Sequence, residues 1–380
     1  MDFQRLASIV AFLALYAKRP VLTARAPFAD NSAMTALSPT PALRDLIAPA
    51  APWLETVRER MRAIVPPEGE LLMVALDQSL GADGKLLRPL LTLLCALATL
   101  PPGSSPNEGH LETAAAAELI HIATLLHDDV LDDADLRRGR PTVRASFGNR
   151  VAILAGDYLL AQASRKLAAV GDIRVVSLFS DVLAALCDGE VEQIRASYSV
   201  SASDWDSYRR KTIGKTASLF AACCEAPAHL NGLCADNAAS LRAFGEQVGI
   251  AFQIMDDLLD FTASESELGK PVMDDLRNGL LNAPALLALE SSYGGDMRSA
   301  VQALFKAQGQ DFDAAQSPQA IQTALADIQR VMSAAGVFDK TRALAQSRVD
   351  QAIDALGFLP PSDAKDALIA LARFTLARRS

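Results

Sequence analysis

Apolar side chains recur every three to four residues along nearly the whole chain after residue 38, which is the spacing of helices that bury one face or more. Short breaks rich in Pro, Gly or polar residues separate these segments at residues 66–69, 100–109, 139–141 and 294–295. No stretch of useful length alternates apolar and polar positions as a strand does. The pattern predicts a single all-α domain over residues 39–380, a large helical bundle around a central apolar cavity.

The first 38 residues are left out of that domain because their status is ambiguous. Residues 6–17 form an apolar run between Arg5 and Lys18, but a bilayer span needs about 20 residues. Three interpretations stay open: a signal peptide, an organelle transit segment, or a translation start at Met34. We expect a cytoplasmic protein, or an organelle-targeted one if residues 1–38 are a transit segment.

The composition agrees with a helical globular protein and excludes several functions. Half of the residues are hydrophobic and only 6% are aromatic, which favours helix over strand. The net charge of −9 and the lack of a basic stretch argue against nucleic-acid binding. The five cysteines are odd in number and form no C-x-x-C pair, so we expect free thiols, without disulfides or structural zinc.

Two acidic clusters of the same spacing interrupt the apolar pattern. The cluster residues are Asp128, Asp129 and Asp132, and Asp256, Asp257 and Asp260. Aspartates four residues apart share one helix face, where their like charges destabilise the helix. A solvated acidic face explains one such cluster, but two clusters embedded in apolar sequence predict bound Mg²⁺. This ion prefers carboxylate oxygens and bridges them to substrate phosphates.

Basic residues near these clusters supply charges that an anionic substrate needs. The pairs are Lys85 and Arg88, Arg137 and Arg138, and Lys211 and Lys215. Each pair alone is a weak signal, but Arg and Lys both bind phosphate oxygens. No glycine-rich nucleotide loop is present, so the sequence favours a diphosphate without a nucleoside. His121, two turns before Asp128, is a further candidate phosphate donor, and His127 is as readily structural.

Together these segments resemble the trans-type polyprenyl diphosphate synthase family. The strongest match spans residues 118–161 and includes LLHDDVLDDADLRRGRPT, and a second spans residues 249–271 and begins GIAFQIMDDLLDF. Residues 189–193, 215 and 216 add weaker matches, and the resemblance extends over about residues 45–290. It implies an isoprenoid synthase-like fold and a Mg²⁺-dependent prenyltransferase that condenses isopentenyl diphosphate with an allylic diphosphate.

The resemblance also implies a role for each matching residue. Two Mg²⁺ ions on the allylic diphosphate would be held by Asp128, Asp129 and Asp132, and a third by Asp256, with Asp257 and Asp260 nearby. The allylic diphosphate would be gripped by Arg137, Lys215 and Lys270. Isopentenyl diphosphate would be bound by Lys85, Arg88, His121 and Arg138. The reacting centre would be lined by Thr216, Phe252 and Gln253. A homodimer and peripheral membrane association through the product are also implied.

Two positions depart from the family pattern. A basic residue is usual where Leu86 stands, and Lys is frequent where Leu280 stands. Each replacement removes one phosphate contact, so we expect weaker diphosphate binding without loss of activity.

Product length is predicted from residues on the helix that precedes the first cluster. The growing chain is expected to run along this helix toward its N-terminus, meeting Ala123 and Thr124 about one turn before Asp128. Short-chain relatives tend to carry aromatic residues there, whereas both residues here are small. We therefore expect a long product of about C40–C50, suited to a quinone side chain.

Other functions stay as alternatives. A short-chain synthase making C15–C20 products would share both acidic clusters. A non-catalytic partner subunit usually loses one cluster, and a class I terpene cyclase usually carries a different second metal motif. A helical scaffold would leave the clustered acids unexplained.

Overall fold

A computed structural model describes residues 48–64, 70–80, 86–137, 139–263, 272–308 and 317–377 of the 380-residue chain. The predicted all-α fold is confirmed. The helices, numbered in chain order, are α1 (Ala51–Arg62), α2 (Glu70–Leu80), α3 (Leu87–Thr99), α4 (Glu108–Leu131), α5 (Val143–Phe147), α6 (Asn149–Val170), α7 (Ile173–Ala196), α8 (Trp205–Thr212), α9 (Ser218–Leu230), α10 (Ala235–Thr262), α11 (Asp274–Arg277), α12 (Ala283–Leu289), α13 (Gly294–Ala307), α14 (Pro318–Ala334), α15 (Val337–Ala355) and α16 (Asp363–Leu376). A π-helical turn (Ile213–Ala217) joins α8 to α9, and a 3-10 turn (Leu356–Phe358) follows α15.

One small feature differs from the sequence pattern. Strands β1 (Leu136–Arg137) and β2 (Arg140–Pro141) form an antiparallel hairpin, with Leu136 opposite Pro141 and Arg137 opposite Arg140. Two residues per strand are too few to produce a detectable alternation. The hairpin lies directly after α4 and turns the chain back toward the end of that helix.

Helix α4 is buried along much of its length. It begins with a capping box in which Asn107 accepts from the His110 N–H and His110 Nδ1 accepts from the Asn107 N–H. Residues 114–117 are four alanines, all fully buried, and their small side chains let neighbouring helices approach closely. The helix runs from residue 108 to residue 131, so the first acidic cluster falls at its C-terminal end.

Helix α10 joins two apolar cores. Its N-terminal half, including Leu241 and Phe244, packs into the core formed with α3, α4, α6 and α9. Its C-terminal half, including Ile254 and Leu258, packs into a second core with α12 to α15. The second acidic cluster occupies this half, so its aspartates are fixed on a helix that is buried along most of its length.

The cysteines are all free thiols. Three are buried, at positions 95, 223 and 224, whereas Cys187 and Cys234 are exposed. Within the described part of the chain, no helix is long and apolar enough to cross a bilayer.

Candidate active site

The first acidic cluster lies at the C-terminal end of α4. Asp128 is half-buried, Asp129 is buried, and Asp132 is the exposed C-cap residue. The hairpin brings Arg137 back to this point, where its Nε donates to Asp129 Oδ1 over 2.8 Å. Asp129 is therefore paired within the protein.

Burial dominates the electrostatics of this cluster. It raises the pKa of Asp128 to about 7, with Lys215 opposing the shift and the charges of Glu190 and Asp132 adding to it. Burial also raises the pKa of Asp129 and Asp132. The nearby Lys and Arg charges thus do not fully offset the free-energy cost of burying these carboxylates in ionised form. A set of carboxylate oxygens of this kind fits a bound divalent cation.

No three Asp, Glu, His or Cys side chains of the described residues converge closely enough to hold an ion by themselves. Mg²⁺ keeps several water ligands and is commonly bound by one or two carboxylates together with substrate phosphates. The sparse protein ligand set therefore matches an ion that is completed by a diphosphate.

The π-helical turn (Ile213–Ala217) packs closely against α7. A Cβ on Gly214 would lie 2.5 Å from the Ala185 carbonyl oxygen, and one on Gly189 would lie 2.9 Å from the Lys215 backbone nitrogen. Only glycines permit this backbone contact between α7 and the turn. Single π-helical turns are frequent at functional sites, where they re-aim side chains.

That contact fixes the position of Lys215. Its Nζ contacts the Glu190 carboxylate and lies 3.2 Å from Gln193 Oε1, both on α7. Its charge lowers the pKa of both Asp128 and Asp132, which places the ammonium close to the first cluster. Lys215 therefore lies beside the carboxylates, as a residue gripping a metal-bound diphosphate must.

In the second cluster, protein groups donate hydrogen bonds to the buried carboxylates of Asp257 and Asp260. Asp257 and Asp260 are 2% and 3% exposed. Asp257 accepts from Gln253, from the Tyr208 hydroxyl and from the Ala283 N–H. Asp260 accepts from the backbone N–H groups that begin α11, at 3.2 and 3.3 Å. Asp256, which precedes both in the sequence, is half-buried.

The residues predicted to line the reacting centre come together between the π turn and α10. Thr216 Oγ1 donates to Gln253 Oε1 over 2.9 Å. The ring of Phe252 lies 5.5 Å from that of Phe220, centroid to centroid. The Arg88 guanidinium lies 5.1 Å from the centroid of the Phe220 ring. Polar and aromatic groups thus border one region next to both clusters.

The remaining predicted residues have varied surroundings. Arg88 is half-buried, and burial lowers its pKa while the nearby Glu118 carboxylate raises it. His121 is half-buried on α4. His127 makes a structural contact, with Nε2 at 3.3 Å from the Ile153 carbonyl oxygen. Lys85, Arg138 and Lys270 lie outside the described residues.

The two departures from the family pattern take different positions. Leu86 has a φ of 45° and is buried in the first core, so its side chain packs with apolar neighbours. Leu280 is half-buried and lines a small cavity with Gln193 and Lys211.

Three residues near the clusters were not predicted from the sequence. Glu190 and Gln193 lie in the weakly matching segment 189–193, so a signal existed without an assigned role. Tyr208 gave no signal, because a single tyrosine in a basic helix is unremarkable in sequence. Its relation to Asp257 comes only from tertiary contact.

Comparison with known proteins identifies relatives along most of the chain. Residues 69–323 match the family described as Polyprenyl synthetase. Solanesyl diphosphate synthase 1 of Arabidopsis thaliana, a chloroplastic protein, is 36% identical over 86% of this chain and 76% of its own. Heptaprenyl diphosphate synthase component 2 of Geobacillus stearothermophilus is 36% identical over 84% of this chain and 94% of its own.

A solved structure agrees with this result. The polyprenyl synthase of Caulobacter crescentus, complexed with calcium and isoprenyl diphosphate, superposes with a TM-score of 0.79 at 30% identity. The match covers 89% of this chain and 98% of the Caulobacter chain.

The glycine contact beneath Lys215 gives a testable prediction. Gly189→Ala should lower the free energy of unfolding by about 1–3 kcal/mol, because its Cβ would force α7 away from the π turn. Urea denaturation followed by circular dichroism measures this change. Gly295→Ala is the control, since no atom lies within 4 Å of its Cβ and its stability should not fall. Equal stabilities of the two variants would contradict the close contact.

Proposed function

The chain belongs to the polyprenyl synthetase family, and we propose that it is a chain-elongating trans-prenyltransferase that makes a long-chain polyprenyl diphosphate. Its substrates are isopentenyl diphosphate and an allylic diphosphate. The observation that carries the proposal is the chain of contacts through the π turn, where Lys215 faces the first cluster and Thr216 is bonded to Gln253 beside the second. The names of its relatives, solanesyl and heptaprenyl diphosphate synthase, support a long-chain product. We propose that this product supplies a quinone side chain.

This family uses a divalent metal to bind diphosphate, and the calcium bound to the Caulobacter relative supports the same use here. We assign the metal ligands to Asp128, Asp132 and Asp256, with Asp129 held beside them by Arg137. Three Mg²⁺ ions are proposed. When bound, the metal supplies positive charge that stabilises the leaving diphosphate.

The chain's own residues divide the remaining work. Lys215 and Arg137 bind the allylic diphosphate, while Arg88 and His121 bind isopentenyl diphosphate. The allylic C–O bond breaks, and its electron pair leaves with the diphosphate. The double bond of isopentenyl diphosphate then attacks the carbocation, and a proton passes to the released diphosphate. The aromatic rings of Phe220 and Phe252 exclude water, which would otherwise quench the cation.

One relative favours a second candidate function. The Geobacillus protein is named a component of its synthase, which points to a heteromeric enzyme. A subunit of that kind would need a partner chain for turnover. The retention of both aspartate clusters supports activity of this chain alone, and assay of the isolated protein separates the two candidates.

The cytoplasmic location and the peripheral membrane association stay predictions. The Arabidopsis relative is named chloroplastic, and a rice relative is named mitochondrial. These names support organelle targeting as the alternative, with residues 1–38 as the transit segment. That segment lies outside the described residues.

Exposed apolar side chains on two neighbouring helices support a homodimer. On α7, Ile173, Val191 and Ile194 are 77%, 64% and 68% exposed, and all lie on its outward face. On α6, Ile153 and Leu154 are 42% and 63% exposed. Exposed apolar groups concentrated on adjacent helices are typical of protein interfaces. We propose that a second copy of the chain covers this surface.

Turnover should require both substrates and a divalent metal. Diphosphate release is expected only when an allylic diphosphate, isopentenyl diphosphate and Mg²⁺ are all present, and EDTA should abolish it. Asp128→Asn should lower kcat by about 100-fold or more, because it weakens stabilisation of the leaving group. Asp296→Asn, at an exposed site on α13, is the control and should retain activity. Turnover in EDTA would refute the metal assignment, and release without isopentenyl diphosphate would indicate a cyclase.

Product length should respond to the helix turn before Asp128. Ala123 is fully buried and Thr124 is half-buried. One helical turn rises about 5.4 Å, roughly one isoprene unit, so a large side chain here should block elongation. Ala123→Phe or Thr124→Phe should shorten the main product to C15–C20, measured by chromatography of the dephosphorylated products. Ala326→Phe, at an exposed site on α14, should leave the length unchanged. A wild type that stops at C15–C20 would contradict the long-chain assignment.

The mass in solution tests the dimer. Light scattering should give about twice the 40.4 kDa chain mass at micromolar concentration. Ile194→Asp should produce monomers, because a charge in an apolar interface is costly to bury. Tyr293→Asp, exposed outside that surface, should remain dimeric. A monomeric wild type would refute the proposal.

A further inference from the structure

Asp257 is buried at the meeting point of three elements. Its Oδ1 accepts from Gln253 Nε2 on its own helix over 3.0 Å. Its Oδ2 accepts from the Tyr208 hydroxyl on α8 over 2.7 Å, and from the Ala283 N–H at the start of α12 over 3.1 Å. Both carboxylate oxygens are therefore engaged by the protein. This arrangement suits an anchor, since a metal ligand needs an oxygen directed at the ion.

The surroundings of Tyr208 keep its hydroxyl directed at Asp257 as a hydrogen-bond donor. It is 6% exposed, and its ring packs edge-on against Trp205 at 5.6 Å between centroids. The Lys211 ammonium lies 5.5 Å from the centroid of the Tyr208 ring. Burial and the Asp257 charge raise the pKa of Tyr208 well above its usual value, so the hydroxyl keeps its proton and donates it.

The segment from Tyr208 to Thr216 is tied to α10 at both ends. At its start the Tyr208 hydroxyl donates a hydrogen bond to Asp257. At its end the Thr216 hydroxyl donates to Gln253, and the Gln253 amide donates to Asp257. Lys215 lies within this closed loop of chain and hydrogen bonds. The position of Lys215 over the first cluster thus depends on contacts made at the second.

We infer that Tyr208 is a positioning residue, which through Asp257 holds Lys215 in register with the metal-binding aspartates of both clusters, and that Asp257 is an anchor and not a metal ligand. The kinetic consequences of this inference rest on the proposed function, because they are measured as prenyltransferase activity. Its consequences for metal binding can be measured without turnover. Loss of the Tyr208 hydroxyl should loosen the grip on the metal–diphosphate complex while leaving the isopentenyl diphosphate site intact.

Tyr208→Phe removes the hydroxyl and keeps the ring. Tyr158→Phe is a matched control, because the Tyr158 hydroxyl makes one hydrogen bond, to the Ile64 carbonyl oxygen over 2.8 Å, away from both clusters. Tyr208→Phe should lower kcat about 10- to 100-fold, the effect expected for losing a hydrogen bond to a charged group. Its KM for isopentenyl diphosphate should match that of Tyr158→Phe, which should itself keep the wild-type kcat.

Mn²⁺ binding provides the readout that does not depend on activity. In the presence of inorganic diphosphate, Mn²⁺ titration followed by electron paramagnetic resonance should show about tenfold weaker binding to Tyr208→Phe than to Tyr158→Phe. Asp257→Asn should keep the wild-type number of Mn²⁺ ions with lower affinity, whereas Asp256→Asn should lose one. If Tyr208→Phe does not fold, the Mn²⁺ affinity of Asp257→Asn, which changes the same contact, tests the positioning role, and its ion count tests the anchor.

The outcomes separate this inference from the proposed function. If the isolated wild-type protein forms no prenyl product when both substrates are supplied, the proposed function is overturned. An active wild type whose Tyr208→Phe variant matches Tyr158→Phe in kcat and Mn²⁺ affinity overturns the positioning role. Loss of one Mn²⁺ ion from Asp257→Asn overturns the anchor, because it makes Asp257 a ligand.

Discussion

Burial of like-charged carboxylates within apolar helices is the constraint on which the rest of this structure depends. A buried charge is costly unless it is paired or hydrogen-bonded. The fold meets this cost unevenly. Arg137 pairs with Asp129, while Asp257 and Asp260 accept protein hydrogen bonds. The packing around each carboxylate therefore decides which of them these protein donors reach.

The π-helical turn is the second element that this constraint requires. A regular helix from α8 into α9 would direct its side chains with an even 3.6-residue spacing. The wider turn instead places Lys215 beside the first cluster and Thr216 against Gln253. The glycine contact between α7 and the turn stabilises this departure from regular geometry, because no side chain separates the two backbones. A local irregularity thus connects the two acidic clusters.

Helix α10 gives the second acidic cluster a rigid support. Its two halves are buried in different apolar cores, so movement of its acidic end would disturb both. Interiors packed at this density resist small displacements. A polyprenyl synthase must keep its diphosphate-binding groups in place while its product lengthens, and a helix buried along most of its length meets that requirement.

The all-α fold, the two aspartate clusters and most of the residues near them could be predicted from the sequence, because helical periodicity and four-residue spacing are local properties of the chain. Tertiary structure alone decided which aspartates are occupied by protein donors. Tyr208 and Asp257 are 49 residues apart, and the hydrogen bond between them exists only because α8 packs against α10. The hairpin that carries Arg137 and the π turn that carries Lys215 could not be predicted from the periodicity of apolar residues either, because both are too short to show a period. Local spacing fixes which residues share a helix face, whereas the packing of distant helices fixes what that face meets.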